Sequence, residues 1–368
     1  MLKSFSVSNF RGFAQKITWR LDAPGNYEFN SFAIKNGIVK NGIIYGNNGS
    51  GKSNLGLALF DIVNHLTHNL KKDDYYKNFA YAGACDQPVL FEYTFLFGQT
   101  ELLYRYAKVK NGKLIEEQLV VDGKSVFSLK NKNHFDIDET LFPMESSLKD
   151  NLKNNANNIS VINFLVTSFP LSEGHFLLKL QRFVDGMLWF RSLEEREFIG
   201  LENTVTQIER YIIKKKLIDD FATFLNDISR QQFTFVNPSP SPDMLFCKIG
   251  DAEILFQDII STGTRSLELF YLWLKKTSEK ATFVFVDEFD AFYHFELSYG
   301  VCQQLFKQPF QSFVTTHNTF LLTNDLLRPD CNFYLKDNVI KPLNERTQKE
   351  LRQANNMEKL FRGKSFES

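Results

Sequence analysis

The residues best suited to chemistry are eight consecutive positions that match the pattern G-x-x-x-x-G-K-[ST] completely: Gly46, Asn47, Asn48, Gly49, Ser50, Gly51, Lys52 and Ser53. In this pattern the glycines let backbone N–H groups turn toward phosphates, the lysine reaches the β- and γ-phosphates, and the serine hydroxyl ligates Mg²⁺. An apolar run at 42–45 precedes the loop, and helical periodicity follows at 54–66. This strand–loop–helix context predicts a nucleoside triphosphate site with Mg²⁺, which includes Asn54 as the next residue.

A second element is the apolar run 283–286, which ends in Asp287 and Glu288. Such a run predicts a buried strand that delivers carboxylates to its C-terminal edge, where open α/β sheets bind ligands. We expect Asp287 to hold Mg²⁺ through water, and Glu288 to orient and polarise the attacking water. The alternative is that the strand ends in two acidic residues by chance. We favour the functional interpretation because the same chain contains a phosphate loop.

A third element precedes that strand and consists of Ser261, Thr262, Gly263, Thr264 and Arg265, followed by an apolar-striped segment. Serine and threonine favour helix N-caps, so an ordinary cap is one interpretation. A helix N-terminus with small residues also binds anions. Contact of Ser261, Gly263 and Thr264 with nucleotide phosphate is therefore the second interpretation.

The fourth element is the apolar strand 313–316, which ends in His317. A lone histidine at a strand edge is more often structural than catalytic. One predicted helix, 297–306, separates it from Glu288, so His317 should emerge on the strand next to Asp287. It suits a hydrogen bond to the γ-phosphate and joins Lys52 and Glu288 as a predicted catalytic residue.

The rest of the chain must position these four elements. Residues 2–21 predict two strands, and period-two alternation at 89–129 predicts an antiparallel meander. Residues 131–158 are polar and predict an exposed connection, whereas 160–230, including 188–190, predict mainly helix. Clustered prolines at 238, 240 and 242 end that helical part. The expected division is 1–159 and 237–368 as two parts of one ATPase head, with 160–236 as a helical insertion.

Composition excludes several classes of protein. The 368 residues carry 43 basic and 43 acidic side chains, so the balance is not that of a stand-alone basic nucleic-acid binder. The four cysteines lie far apart without a Cys-x-x-Cys pair and predict reduced thiols, most of them buried. No apolar run approaches a membrane span, and the first residues lack the apolar core of a signal peptide, so we expect a cytoplasmic protein.

Together these blocks resemble the RecF/Rad50/SMC-like branch of the ABC ATPases, and more closely the stand-alone prokaryotic ATPases of the overcoming-lysogenization-defect and abortive-infection type. Residues 9–13 (Asn-Phe-Arg-Gly-Phe) are similar to that branch's N-terminal signature, which implies that Arg11 approaches the nucleotide. Residues 261–264 resemble its short Ser-x-Gly-Thr signature, 287–294 its Walker B and D-loop, and 315–318 its switch motif. One departure is that only Gln99 and Gln118 are candidates for a Q-loop glutamine.

The resemblance implies an α/β fold: an ABC-ATPase head with a mixed core sheet flanked by helices, an antiparallel β-meander subdomain and a short helical insertion. It also implies that ATP and Mg²⁺ are the ligands and that ATP drives formation of a homodimer or higher oligomer. Each phosphate loop would face the signature of the other copy. Work in DNA metabolism or phage defence, often with a separate effector, is implied as well.

Three functions remain open at this point. The first is the sensor or regulatory ATPase of an antiphage (abortive-infection) system that controls a separate toxic effector, such as a nuclease. The second is a RecF-like repair ATPase that binds DNA, with basic candidates at 214–216 and in the tail; a solvated helix face is the plainer interpretation of those lysines. The third is a nucleotide-gated scaffold with slow hydrolysis. No sustained heptad pattern separates Ser53 from Ser261, which excludes a long coiled-coil arm.

Overall fold

The computed structural model describes residues 1–67, 73–130, 134–155, 159–191, 198–200, 208–277, 280–291 and 293–367. Parts of the predicted polar connection, 131–133 and 156–158, and Phe292 of the predicted D-loop lie outside the described residues.

The strands in this part of the chain form two large sheets and two short ribbons. In chain order they are β1 (Leu2–Ser8), β2 (Ile17–Arg20), β3 (Ile34–Lys35), β4 (Ile38–Val39), β5 (Asn41–Tyr45), β6 (Val89–Phe97), β7 (Thr100–Lys108), β8 (Leu114–Val121), β9 (Lys124–Lys130), β10 (His134–Ile137), β11 (Met187–Arg191), β12 (Phe198–Gly200), β13 (Phe246–Ile249), β14 (Ala252–Leu255), β15 (Phe283–Asp287), β16 (Gln311–Thr316), β17 (Asn332–Lys336) and β18 (Val339–Pro342).

The α-helices of the same residues flank these sheets and connect them. They are α1 (Lys52–Leu59), α2 (Asp61–Leu66), α3 (Ser146–Asn155), α4 (Val161–Ser168), α5 (Phe176–Asp185), α6 (Ile208–Lys214), α7 (Ile218–Ser229), α8 (Phe256–Ile259), α9 (Thr262–Thr277), α10 (Phe295–Phe306) and α11 (Met357–Arg362).

The core sheet has the strand order β12-β11-β15-β16-β5-β17-β18. Its five inner strands, β11, β15, β16, β5 and β17, are parallel to one another, and the edge strands β12 and β18 pair antiparallel with β11 and β17. Strands β5, β15 and β16 are buried along their whole length, as expected for parallel strands covered on both faces. Their carboxyl ends meet at one edge, which brings the ends of three predicted site elements together.

The meander sheet has the order β10-β9-β8-β7-β6-β1-β2 and is antiparallel throughout. In β6, alternate side chains from Val89 to Phe95 are buried and the intervening ones are exposed or half-buried, which is the pattern of a sheet with one face on the core. The predicted meander and the predicted first two strands are confirmed, and so is the α/β class with a mixed core sheet.

Helix α1 lies between the two sheets and contacts both. The Tyr93 hydroxyl donates to the Ala58 and Leu59 carbonyls at 3.2 and 3.1 Å. On the other side, a Cβ at Gly56 would lie 2.7 Å from Trp189 Nε1 and 2.8 Å from the Phe285 ring, so glycine is required at this crossing. The two sheets thereby fix the helix that follows the phosphate loop.

Two sequence-based expectations are wrong, and both concern the middle of the chain. Residues 134–137 form a strand paired with β9, and Phe142 and Leu152 are buried, so this part of the predicted connection is not simply exposed. Residues 188–190 belong to β11, which pairs in parallel with β15, and not to a helix. The apolar run is short and buried, and periodicity does not distinguish such a strand from a helix. The segment 160–236 therefore contributes a core strand in addition to helices.

The remaining expectations concern smaller features. The predicted helix at 54–66 is divided into α1 and α2 at Phe60. Cys247, Cys302 and Cys331 are buried free thiols and Cys85 is an exposed one, as predicted. No helix within the described ranges is long and apolar enough to cross a membrane.

Candidate functional site

The phosphate loop connects β5 to α1 and contains the glycines at 46, 49 and 51 together with Asn47, Asn48 and Ser50. Lys52 begins α1 and is only 5% exposed; its ammonium group donates to the Gly46 carbonyl at 2.7 Å and to the Asn47 carbonyl at 3.1 Å. The Ser50 hydroxyl oxygen is buried and finds no hydrogen-bond partner among the described residues. A buried ammonium and an unsatisfied hydroxyl suit a loop that accepts an anion.

The N-terminal motif at 9–13 packs against the phosphate loop and the start of α1. Gly51 has φ 99°, a left-handed conformation, and a Cβ there would lie 2.9 Å from the Phe13 ring. A Cβ at Gly12 would lie 3.3 Å from Asn54 Nδ2, so the loop 9–13 packs against the start of α1. The structure thus brings together two motifs that are far apart in the sequence.

Arg11 lies in the same motif. Its guanidinium donates to the Tyr75 carbonyl at 3.3 Å and lies 5.6 Å from the centre of the Phe10 ring. Its predicted approach to the nucleotide stays a prediction.

The acid pair lies at the end of β15: Asp287 is its last residue and is fully buried, and Glu288 follows directly. The Thr315 hydroxyl donates to Asp287 Oδ1 at 2.6 Å and accepts from the Glu288 backbone N–H at 2.8 Å. Glu288 has φ 46° and is half-buried. A non-glycine residue with positive φ is uncommon and often marks a functional turn.

A second threonine on β16 repeats the arrangement one residue later. The Thr316 hydroxyl donates to Asp290 Oδ2 at 2.7 Å and accepts from the Asn318 backbone N–H at 2.8 Å. Burial raises the pKa of the Asp290 carboxyl, and the Thr316 hydrogen bond and the charge of His317 act in the opposite direction. His317 is exposed at the end of β16, on the strand next to β15 as predicted.

The electrostatics of the loop and of the acid turn are coupled. Burial lowers the pKa of the Lys52 ammonium, while Asp287, Glu288 and Asp290 act to raise it. The loop lysine and these carboxylates therefore lie near enough for their charges to interact, at the carboxyl ends of the parallel strands β5, β16 and β15.

The predicted signature forms the start of α9. Ser261 Oγ accepts from the Thr264 backbone N–H at 3.1 Å and lies 3.1 Å from Thr264 Oγ1, while Gly263 is half-buried in the first turn. The body of α9 packs on α6 and α7, with the Tyr271 and Phe221 rings 4.9 Å apart. The N-cap geometry fits the plainer interpretation of these residues, and their contact with phosphate stays a prediction.

Ser53 and Asp287 are the predicted Mg²⁺ ligands. Asp287 Oδ1 is held by Thr315, and Ser53 lies in the first turn of α1. Among the described residues no cluster of three or more His, Cys, Asp or Glu side chains could hold a metal ion by itself. A hydroxyl and one carboxylate match the sparse protein ligation that Mg²⁺ uses when substrate phosphates and water complete its shell.

Asp290, Thr315 and Thr316 lie within the predicted D-loop and switch motifs, and the sequence predicted no separate role for them. The signal that could have revealed the threonines is a pair of hydroxyl residues that follows the apolar Phe313 and Val314 at the end of a buried strand. Other candidates lie elsewhere: His294 caps α10 through Nδ1, at 3.4 Å from the Leu297 nitrogen. Gln99 lies in the turn between β6 and β7, and Gln118 lies in β8 of the meander.

Comparison with known proteins finds one matching family model and several similar structures. The family model described as "AAA domain, putative AbiEii toxin, Type IV TA system" matches residues 43–323. Among solved structures, the SMC head domain from Thermotoga maritima is 14% identical, with 93% of this chain and 98% of that chain covered and a TM-score of 0.45. An Smc head domain derived from Pyrococcus furiosus, bound to the C-terminal domain of ScpA, is 13% identical, with 92% and 95% covered and a TM-score of 0.43. No curated protein matches the chain.

Proposed function

This chain belongs to the family described as "AAA domain, putative AbiEii toxin, Type IV TA system", and from that premise we propose that it binds and hydrolyses ATP with Mg²⁺. The observation that supports the proposal most is that the phosphate loop with its buried Lys52 and the turn with Asp287, Glu288 and Asp290 lie at the same carboxyl edge of the parallel core sheet. A cation on the loop and acids on the neighbouring strand end are the two halves of a phosphoryl-transfer site.

In this proposal each residue has a separate task. Lys52 and the loop N–H groups bind the phosphates, and Ser53 and Asp287 hold Mg²⁺. When bound, Mg²⁺ neutralises charge on the phosphate oxygens. Glu288 orients the attacking water and takes its proton, and Thr315 sets the position of Glu288 through its backbone nitrogen. His317 donates a hydrogen bond to the γ-phosphate.

The site is completed by a second copy of the chain. Ser261, Gly263 and Thr264 of that copy would contact the nucleotide bound to the first, because the N-terminus of α9 carries positive partial charge suited to phosphate. ATP would then join two copies, and hydrolysis would release them.

The test is Glu288→Gln, which keeps the shape of the side chain and removes its ability to take a proton. We expect turnover to fall by roughly 10²- to 10⁴-fold, with ATP binding retained and an ATP-dependent dimer accumulating in light scattering. The matched control is Glu253→Gln on the exposed β14, which should hydrolyse ATP normally. Unchanged turnover in Glu288→Gln would show that Glu288 is not the base.

At the cellular level we propose a sensor or regulatory ATPase of an antiphage system that controls a separate toxic effector, such as a nuclease. The family description supports this role over a DNA-repair role.

Two measurements separate these roles. Cells that carry the native gene with its neighbours should resist phage, and Lys52→Ala should abolish that resistance. A DNA affinity that falls about 10³-fold or more between low and physiological salt would instead favour the repair role.

A further inference from the structure

A cavity of about 420 Å³ lies at the edge of the core sheet opposite the phosphate loop. Thr282, just before β15, and Gln311, the first residue of β16, mark the amino ends of those strands and lie in its wall. Its volume is within the ~300–1,000 Å³ of ordinary ligand pockets. None of the predicted site residues lines it.

The rim of this cavity is basic. Lys35 of β3 and Lys179 and Arg182 of α5 line it, and no aspartate or glutamate does. Within the described ranges none of these three side chains forms an ion pair. The charge of Lys35, after burial, is the second cause of the lowered pKa of the nearby Lys40. Among the described residues, like charges from separate elements therefore converge on a lining that contains no carboxylate.

The floor is apolar and contains the side chains of Phe97, Phe183 and Phe310. The two uncharged polar side chains of the wall already form hydrogen bonds within the protein. Gln311 accepts from the Leu2 nitrogen at 2.8 Å and donates to the Leu2 and Val39 carbonyls at 2.9 and 3.0 Å. The Thr282 hydroxyl donates to the Phe183 carbonyl. The interior thus offers contact area and no spare side-chain donor.

We propose that this cavity binds an acidic peptide segment of a partner protein, with one apolar side chain in the cavity and carboxylates on the basic rim. Charge complementarity selects an anionic ligand. The polar side chains of the wall already have hydrogen-bond partners within the protein, so an apolar side chain fits this cavity better than a nucleobase. The polar edge of a nucleobase would find no hydrogen-bond partner in the floor.

A plainer explanation covers part of the rim. Lys179 and Arg182 are three residues apart on α5, and Arg182 lies in the last turn, where a cation is favoured by the helix dipole. That explanation does not account for Lys35, which comes from a different element and meets them at the same opening.

The experiment measures fluorescence anisotropy of a labelled acidic peptide that carries one central phenylalanine, without nucleotide, so that its outcome is independent of ATP hydrolysis. We expect binding that weakens at least about tenfold in the double variant Lys179→Glu/Arg182→Glu, because two attractions become repulsions. Replacing the peptide's phenylalanine with serine should weaken binding roughly 10- to 100-fold. The double variant should keep the wild-type ATPase rate, which shows that it is folded.

The matched control is the double variant Lys214→Glu/Lys215→Glu, which makes the same change of net charge at two exposed lysines outside the cavity. It should leave peptide binding unchanged. Equal peptide affinity in the wild type and the folded double variant overturns the proposal. It is also overturned if a single-stranded oligothymidylate binds the wild type more tightly than the peptide and loses that binding in the double variant.

Discussion

The Thr315 hydroxyl lies 2.6 Å from Asp287 Oδ1 and 2.8 Å from the Glu288 backbone nitrogen, so one side chain of β16 holds both acidic residues that end β15. A hydroxyl has one proton to donate and lone pairs with which to accept. Asp287 receives that proton, and the Glu288 N–H occupies a lone pair. Because β16 continues into His317, the position of the acid pair depends on the strand that carries the predicted γ-phosphate contact.

The first prediction concerns this threonine. Thr315→Val keeps the branched shape and removes both hydrogen bonds, so Glu288 loses the anchor of its left-handed turn. We expect kcat to fall by about 10- to 100-fold while ATP affinity changes little, because a lost hydrogen bond to a charged group corresponds to about 1.5–3 kcal/mol. Steady-state kinetics and direct ATP-binding measurements give the two values.

Thr315→Ser is the matched control, because it restores a hydroxyl at the same position. It should recover most of the rate. If Thr315→Val hydrolyses ATP as fast as the wild type, or loses ATP affinity and rate in equal proportion, then Thr315 does not position the base.

The second prediction concerns the loop lysine. Lys52→Ala removes a buried cation that faces three carboxylates, and we expect ATP affinity to fall by roughly 10- to 100-fold or more, since charge-assisted hydrogen bonds are worth about 1.5–3 kcal/mol each. Titration calorimetry measures the affinity, and Lys215→Ala at an exposed position is the control. Normal ATP binding by Lys52→Ala would contradict the assignment of the whole site.

The phosphate loop, the acid pair and the position of His317 could be predicted because each is local. A glycine pattern or an apolar run with a polar end is visible within one stretch of sequence, and the carboxyl ends of parallel strands must meet at one edge. The packing of the Phe13 ring against the Gly51 backbone could not be predicted in this way, since it joins two loops that follow strands of different sheets.

Strand β11 shows why part of the fold was also missed. Met187–Arg191 is a short, mostly apolar run that follows α5, and its identity as a strand depends on hydrogen bonds to β15, almost a hundred residues later in the chain. Local pattern does not encode that partner. The roles of Thr315 and Thr316 depend on the same kind of strand pairing, between β15 and β16.

The third prediction concerns an ion pair between α2 and β7. Lys108 Nζ lies 2.5 Å from Asp61 Oδ2, and both side chains are almost completely buried; the Tyr75 and Tyr106 hydroxyls also donate to Asp61. Lys108→Met should lower the free energy of unfolding by about 3–5 kcal/mol, because it leaves a buried carboxylate without its cation. Urea denaturation measures this loss.

The double variant Asp61→Asn/Lys108→Met tests the cause of that loss. It carries no buried charge at this position, so it should be more stable than Lys108→Met alone. A double variant less stable than Lys108→Met would mean that packing, and not the uncompensated charge, determines the effect.

The last prediction is a pH dependence at Glu117, a fully buried residue of β8 that accepts hydrogen bonds from Tyr104, Ser160 and the first backbone nitrogens of α4. Burial raises its pKa, and these hydrogen bonds only partly offset the shift. The folded state therefore binds the proton more tightly than the unfolded state. The contribution to stability is fully present below the unfolded pKa of about 4.3 and is lost as pH rises through the folded value.

Glu117→Gln cannot lose a proton, so its free energy of unfolding should rise relative to that of the wild type as pH increases from about 4 to 7. Glu116→Gln, at the neighbouring half-buried position, should show no such trend, and a pH-independent difference for Glu117→Gln would mean that Glu117 titrates alike in both states.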